Sequence, residues 1–243
     1  MISVCMASHN GGKYIKQQID SILSQLSLED ELIISDDGSS DSTIEIIKRC
    51  NDSRIKLYVM EHNSKGMKPH YYVTKNFENA LKYVNGDYIF LSDQDDVWMP
   101  NKVSVVLEIL KKVDLVVHDA ELIDGDGNNM GKNYYSFLHQ SSGFLMNLWQ
   151  TRFLGCCMAF RKSVLDDCLP FPNNIVGHDY WIGMYALIKY EVTFIPDILL
   201  KYRRHGGNVS PSSEKSNNSL FYKLYTKRYH LLRAIAIRMF NAN

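Results

Sequence analysis

Three carboxylates fall within four positions in Leu91-Ser92-Asp93-Gln94-Asp95-Asp96-Val97-Trp98, directly after the apolar run Ile89-Phe90. Like charges this close repel by more than about 1 kcal/mol unless water or a counter-charge intervenes. A hard divalent cation carrying phosphate oxygens is the natural partner of such a cluster. A solvated turn with Asp96 capping a helix is the plainer alternative. Asp36-Asp37-Gly38-Ser39 has the composition of an ordinary turn, and a carboxylate there could also accept a hydrogen bond from a base or ribose. His178-Asp179 opens a helical stretch. Asp179 is either an N-terminal aspartate favoured by the helix dipole or a general base facing an acceptor hydroxyl. Tyr180 and Trp181 suit the apolar face of a sugar, and Trp98 suits either the core or a stacked ring. Arg203, Arg204 and His205 form a basic segment that could neutralise phosphates, with His205 also able to ligate a metal. No G-x-S-x-G, Walker A or G-x-G-x-x-G segment is present, which removes the commonest hydrolase, P-loop and dinucleotide-binding readings.

The elements that must position these residues follow from hydrophobic periodicity. Residues 2–7 are apolar and β-prone, and Ser8-His9-Asn10-Gly11-Gly12 breaks the run. Apolar residues recur at helical spacing from Lys13 to Leu26. Strand runs follow at 32–34, 55–60, 87–92 and 115–117, alternating with helices that Asp41 caps, that span roughly 72–84, and that Pro100 opens. The second half predicts a turn-rich loop at 124–129, a strand at 153–160, a short helix at 161–168 and a strand at 192–195. Such alternation predicts a mostly parallel α/β sheet covered on both faces. Ligands bind such sheets at the C-terminal strand ends. The clusters at 8–10, 36–37 and 93–96 each follow a strand, so all three are expected at one sheet edge.

The 243 residues fit one α/β domain. Lys and Arg number 27, as do Asp and Glu, so the net charge is zero. That balance argues against a nucleic-acid partner. No run of about 18 apolar residues predicts a membrane span. The chain starts directly in a strand-like run, so no signal peptide is expected. The five cysteines have no ligand spacing and fit buried, reduced thiols.

Taken together and in order, these segments resemble the family-2 inverting glycosyltransferases of GT-A fold. Ile2-Ser3-Val4-Cys5-Met6-Ala7-Ser8-His9-Asn10 is similar to that family's first strand and loop, with His9 where Tyr is common. Asp36-Asp37-Gly38-Ser39-x-Asp41 is similar to its DDGSxD segment and Asp93-Gln94-Asp95 to its DxD motif. Gly177-His178-Asp179-Tyr180-Trp181 resembles the segment carrying its base, and Tyr202-Arg203-x-His205-Gly206-x-Asn208 a late bacterial motif. The form S-D-Q-D-D-V-W is similar to a subset assigned to rhamnosyl transfer in capsule and O-antigen synthesis.

The resemblance covers roughly residues 1–210 and implies one GT-A domain, with a nucleotide-sugar-binding half at 1–119 and an acceptor-binding half at 120–210. It implies that Ala7, Ser8, His9, Asp37, Asp93 and Gln94 bind the nucleotide-sugar. It implies further that Asp95 and His205 meet Mn²⁺ or Mg²⁺, and that Asp179 is the catalytic base. Trp98, Tyr180 and Trp181 are then expected at the acceptor. The implied activity moves a sugar from a UDP- or dTDP-sugar to a saccharide or lipid-linked acceptor in envelope polysaccharide synthesis. A nucleotidyltransferase and a catalytically silent nucleotide-sugar-binding module are the alternatives.

Residues 211–243 are expected as a flexible linker and a basic amphipathic helical tail. Over residues 220–243, Leu220, Phe221, Leu224, Leu231, Leu232 and Ile235 alternate with Lys223, Lys227, Arg228, Arg233 and Arg238, and no acid intervenes. A basic amphipathic helix can lie on an anionic membrane surface, or dock on its own domain. The expected location is the cytoplasm, with peripheral contact at the inner face of the plasma membrane.

Overall fold

The computed structural model describes residues 1–61, 69–136, 138–175, 177–206 and 228–241. The elements run β1 (Ile2–Ser8), α1 (Ile15–Leu23), β2 (Glu31–Asp36), α2 (Thr43–Arg49), β3 (Ile55–Val59), α3 (Pro69–Leu81), β4 (Tyr88–Asp93) and β5 (Val97–Trp98). They continue α4 (Lys102–Leu110), β6 (Leu115–Ile123), β7 (Asn129–Asn133), α5 (Phe144–Trp149), β8 (Met158–Arg161), α6 (Lys162–Cys168), α7 (His178–Lys189), β9 (Val192–Arg203) and α8 (His230–Asn241).

Among the described residues the strands form one sheet, ordered β3-β2-β1-β4-β8-β6-β9-β5, with β7 paired to β6. β1 lies parallel between β2 and β4, and β2 is parallel to β3. β8 runs antiparallel to both β4 and β6, so it splices the parallel N-terminal part to the parallel pair β6–β9. The central strands β1, β2 and β4 are near-continuous apolar runs because helices cover both faces. The core gathers Phe77 of α3, Phe90 of β4, Phe160 of β8, and Trp181 and Tyr185 of α7.

Several expectations move. α1 is shorter than its apolar pattern, α3 has the expected length but lies three residues earlier, and α4 begins two residues after Pro100 with Asn101 as its cap. Asp41 does not cap α2 from the N-cap position, which Ser42 holds. It accepts from the Thr43 amide at 2.9 Å and from the Gly12 amide at 3.0 Å, tying the β1 loop to the start of α2. The strand expected over 153–160 starts only at Met158, because Gly155–Cys157 forms a 3₁₀ turn. β6 extends to Ile123, β7 occupies residues read as loop, and β9 continues to Arg203. The boundary at 119/120 therefore falls inside β6, and the two halves share a strand. Cys5, Cys156, Cys157 and Cys168 are buried free thiols, and Cys50 is half-buried, as the sequence led us to expect. The linker after residue 210 and the late-motif residue Asn208 lie outside the described residues.

Gly183, on the inner face of α7, faces the Phe153 ring. A Cβ there would sit 2.3 Å from a ring carbon. Gly183→Ala should lower stability despite alanine's better helix propensity of about 1 kcal/mol. A forced fit in a packed core costs about 1–3 kcal/mol, so the net loss is expected near the middle of that range. Denaturant unfolding measures it, and an unchanged midpoint would contradict the packing described.

Candidate active site

The parallel registers settle where the polar clusters go. Ala7 pairs with Ser35 and with Asp93, and Ser8 pairs with Asp36. The ends of β1, β2 and β4 therefore lie side by side at one sheet edge. The loops there are cross-braced. The Gln94 side-chain amide accepts from the His9 amide at 2.9 Å and donates to the His9 carbonyl at 3.0 Å. His9 Nδ1 lies 2.7 Å from the Asp37 carbonyl. Asp36 is buried and accepts from Ser8 Oγ, the Ser39 amide and Ser39 Oγ, each at 2.7 Å. Ser8 is thus committed to Asp36, and its carbonyl accepts from the Asp37 amide and Asn76 Nδ2. Ser8, expected among the nucleotide-binding residues, thus has its side chain buried as a brace. Ala7, His9 and Gln94 keep partial or full exposure at the edge.

β9 delivers the last motif to this edge because it is parallel to β6 and its end pairs with Ile123. The Arg203 amide donates to Asp96 Oδ1 at 3.0 Å, and its Nε donates to the Asp95 carbonyl at 2.8 Å. One terminal nitrogen reaches Gln17 Oε1 at 2.8 Å, and the guanidinium lies 4.6 Å from the Tyr14 ring centre. Arg203 is buried, so the phosphate contact considered for it is replaced by an internal role: it clamps the acidic loop to α1. His205 Nε2 lies 2.7 Å from Asp95 Oδ2, and its ring is 5.0 Å from that of Tyr14. Asp95 and His205 are brought together as expected.

Asp179 comes from the start of α7. Gly177, the residue before α7, has φ +97°, a backbone region open chiefly to glycine. This turn sets Asp179 in the first helical turn, where its Oδ1 accepts from the Tyr180 amide at 2.7 Å. A Cβ on Gly155 would fall 3.6 Å from the Asp179 Cβ, so the 3₁₀ turn packs directly beneath it. That same turn carries Cys156, whose Sγ lies within 4.8 Å of carboxylate oxygens of Asp93 and Asp96.

Electrostatics join the three acids to Asp179. Burial, then the charges of Asp95 and Asp179, lift the Asp93 carboxyl to about 7. Burial and the charges of Asp95 and Asp93 hold Asp96 well above the usual carboxylate range. Asp96 Oδ2 is buried and receives no N–H or O–H hydrogen bond among the described residues. Lys102, wholly buried, donates to the Cys156 carbonyl at 2.8 Å and lies 4.2 Å from the Trp98 ring centre. Burial lowers its ammonium to about 8. Sequence reasoning missed Lys102 and Cys156, since neither belongs to a motif. It missed Tyr134 too, whose phenol burial and the Asp179 charge push up.

A close set of hard oxygen ligands fits a divalent cation. Carboxylate oxygens of Asp93 and Asp96, with Cys156 Sγ, are grouped closely enough for one, and Asp95 beside them faces His205.

The structure corrects the acceptor residues. Trp98 is buried against Phe90, with ring centres 5.6 Å apart. Trp181 is buried and donates to the Cys168 carbonyl at 3.1 Å. Tyr180 is buried with its hydroxyl on the Leu148 carbonyl. Aromatic side chains bury too much apolar area to stay in water when a core lies within reach.

Asp93 also sets a pH dependence. A carboxyl raised to about 7 in the native state binds its proton more tightly there than in the unfolded chain, near 3.8. Native stability from this group therefore falls as pH rises from about 4 through 7. Asp93→Asn should stabilise the metal-free protein by roughly 1–3 kcal/mol at pH 8 and by much less at pH 5. Denaturant midpoints of the two proteins at both pH values check it.

The family model "Glycosyl transferase family 2" matches residues 3–169. The Escherichia coli UDP-Glc:alpha-D-GlcNAc-diphosphoundecaprenol beta-1,3-glucosyltransferase WfgD is 28% identical over 219 residues, covering 88% of this chain and 81% of that protein. The Shigella flexneri dTDP-rhamnosyl transferase RfbG is 26% identical over 249 residues, covering 94% and 79%. Among solved structures, S. aureus TarS 1-349 in complex with UDP-GlcNAc superposes with a TM-score of 0.69 at 20% identity. That match covers 99% of this chain and 66% of that one, so the chain spans just under two thirds of TarS 1-349. A Pyrobaculum calidifontis mannosyltransferase in complex with GDP-Man and Mn²⁺ superposes at 0.60 and 16% identity, covering 99% and 74%. The fold is GT-A, and the chain belongs to glycosyl transferase family 2.

Proposed function

We propose that this protein transfers a sugar, with inversion, from a UDP- or dTDP-sugar to a saccharide or lipid-linked saccharide in envelope polysaccharide synthesis. The observation that supports it most is the convergence of the acids after β4 with His205, which contacts Asp95, and with Asp179, whose charge is felt at Asp93. The activities that WfgD and RfbG are named for support the donor and acceptor classes. Ala7, His9, Asp37 and Gln94 hold the nucleotide, and Asp93 lies toward the ribose and diphosphate. Asp95 and His205, with Asp93 and Asp96, hold Mn²⁺ or Mg²⁺. A bound divalent cation supplies positive charge to the leaving diphosphate. Asp179 accepts the proton of the acceptor hydroxyl as its oxygen attacks the anomeric carbon. One displacement inverts that carbon and needs no enzyme nucleophile. The protein works in the cytoplasm, and its basic C-terminal helix rests on the inner leaflet.

Nucleotide-dependent thermal shifts test the donor site. Native-state ligands raise the melting temperature by mass action. UDP or dTDP with Mn²⁺ should raise it by several degrees, and by less without metal. Folded protein that shifts with neither nucleotide would reject the reading and favour the silent module. Triphosphate turnover with pyrophosphate release would favour the nucleotidyltransferase.

A further inference from the structure

The C-terminal helix has two apolar faces. Leu231 and Ile235, one turn apart, are buried against the domain. Arg238 fixes the same face by donating to the carbonyls of Asp167, Leu169 and Pro170. Around the rest of the helix, at about 100° per residue, Leu232, Ile237 and Phe240 are exposed, Phe240 at 81%, and Tyr229 just before it is exposed as well. A helix docked on its own domain through one face has no folding reason to keep a second apolar face in water.

A second exposed apolar group adjoins it. In α5, Leu145 is 76% and Trp149 71% exposed, with Met146 beside them. Arg228, just before α8, joins the two. Its Nε donates to the Leu148 carbonyl at 2.8 Å, and its guanidinium lies 5.3 Å from the Trp149 ring centre. Both groups come from acid-free parts of a neutral chain. Residues 127–165 and 215–243 contain no Asp or Glu, whereas they carry Lys132, Lys223, Lys227, Arg228 and Arg233 among others.

We propose that α5 and the outer face of α8 form one surface that inserts side by side into an anionic lipid leaflet. This deepens the tail–leaflet contact and rests on it. The sequence alone gave α5 no part in membrane contact. Basic residues flanking a Trp-bearing apolar face match the headgroup boundary, where an amphipathic ring has one apolar and one wet side. A second copy of the chain is the poorer occupant, because self-association would bring basic surfaces together. The surface is also coupled to the site: the Leu148 carbonyl of α5 accepts from the hydroxyl of Tyr180, the residue after Asp179. A lipid-linked acceptor held in the leaflet would thus emerge beside the base.

Tryptophan emission tests the proposal on the unmodified full chain. Of the tryptophans, Trp98 is 3% and Trp181 0% exposed, so a change on lipid binding reports Trp149. Vesicles of phosphatidylglycerol and phosphatidylcholine should shift emission to the blue and protect it from iodide. Pure phosphatidylcholine should do neither, and high salt should reverse the effect. Trp149→Phe should remove the signal. Leu145→Ser with Met146→Ser, both at exposed positions, should weaken vesicle binding about tenfold or more. Co-sedimentation with anionic vesicles without any emission change would overturn the role of α5 while leaving the tail contact standing. No co-sedimentation would overturn both. A blue shift that tracks protein concentration without lipid would identify a second copy as the occupant and overturn the proposal.

Discussion

Asp179→Asn should lower sugar transfer by about 10²–10⁴-fold while leaving nucleotide-sugar binding in place. The amide matches the carboxylate in shape and still accepts from the Tyr180 amide through the oxygen that does so at 2.7 Å. The start of α7 and the Gly177 turn are therefore kept. What is lost is a group able to take a proton from the acceptor hydroxyl. That range corresponds to about 3–5 kcal/mol of barrier. The electrostatic side effect runs the other way for the donor. Asp179 is one of the charges that raise Asp93, so its removal eases Asp93 toward ionisation and should hold or tighten metal-dependent donor binding. Falling kcat with a preserved donor Kd is the expected pair of results, read from nucleotide release and calorimetry. Near wild-type transfer would show that another group is the base.

Asp95→Ala should abolish the metal-dependent part of donor binding. The variant should keep the fold, because Arg203 holds this loop through the Asp95 carbonyl and through Asp96. The change removes the carboxylate that faces His205 at 2.7 Å and leaves that imidazole without its acid. With nucleotide and Mn²⁺ at 100 times Kd, the wild-type protein gains about 2.7 kcal/mol. In a chain of this size that is a rise of roughly 5–10 °C in melting temperature. The variant should show little of it. The base and ribose contacts proposed at His9 and Asp37 should still give a small metal-independent shift. A full shift in the variant would move metal binding to Asp93 and Asp96 alone.

Much of this arrangement is legible in the residues. Strand–helix alternation predicts a parallel sheet, and polar clusters directly after apolar strands predict one shared edge, because parallel neighbours must end on the same side. The registers Ala7–Asp93 and Ser8–Asp36 realise that expectation. The motif residues Asp95 and His205, 110 positions apart, do meet. Element ends are less legible. Gly155–Cys157 reads as strand from its apolar composition, yet it turns, and Gly155 packs so closely on His178 that a Cβ would meet Nε2 at 2.6 Å. Such a contact is between residues distant in sequence, and no local pattern encodes it.

The sequence by itself determined the fold class and the residue types at the site, since both follow from periodicity and from chemistry that only carboxylates, an imidazole and a loop of small residues can supply. The tertiary structure alone decided which of those side chains face outward. Trp98, Tyr180 and Trp181 look like sugar platforms beside the motifs but are core, whereas Trp149, in no motif, is exposed. Arg203 looks like a phosphate ligand but clamps the acidic loop. Composition reports what a side chain can do. Burial depends on packing between elements far apart in the chain, and that is settled only when the sheet and its helices close.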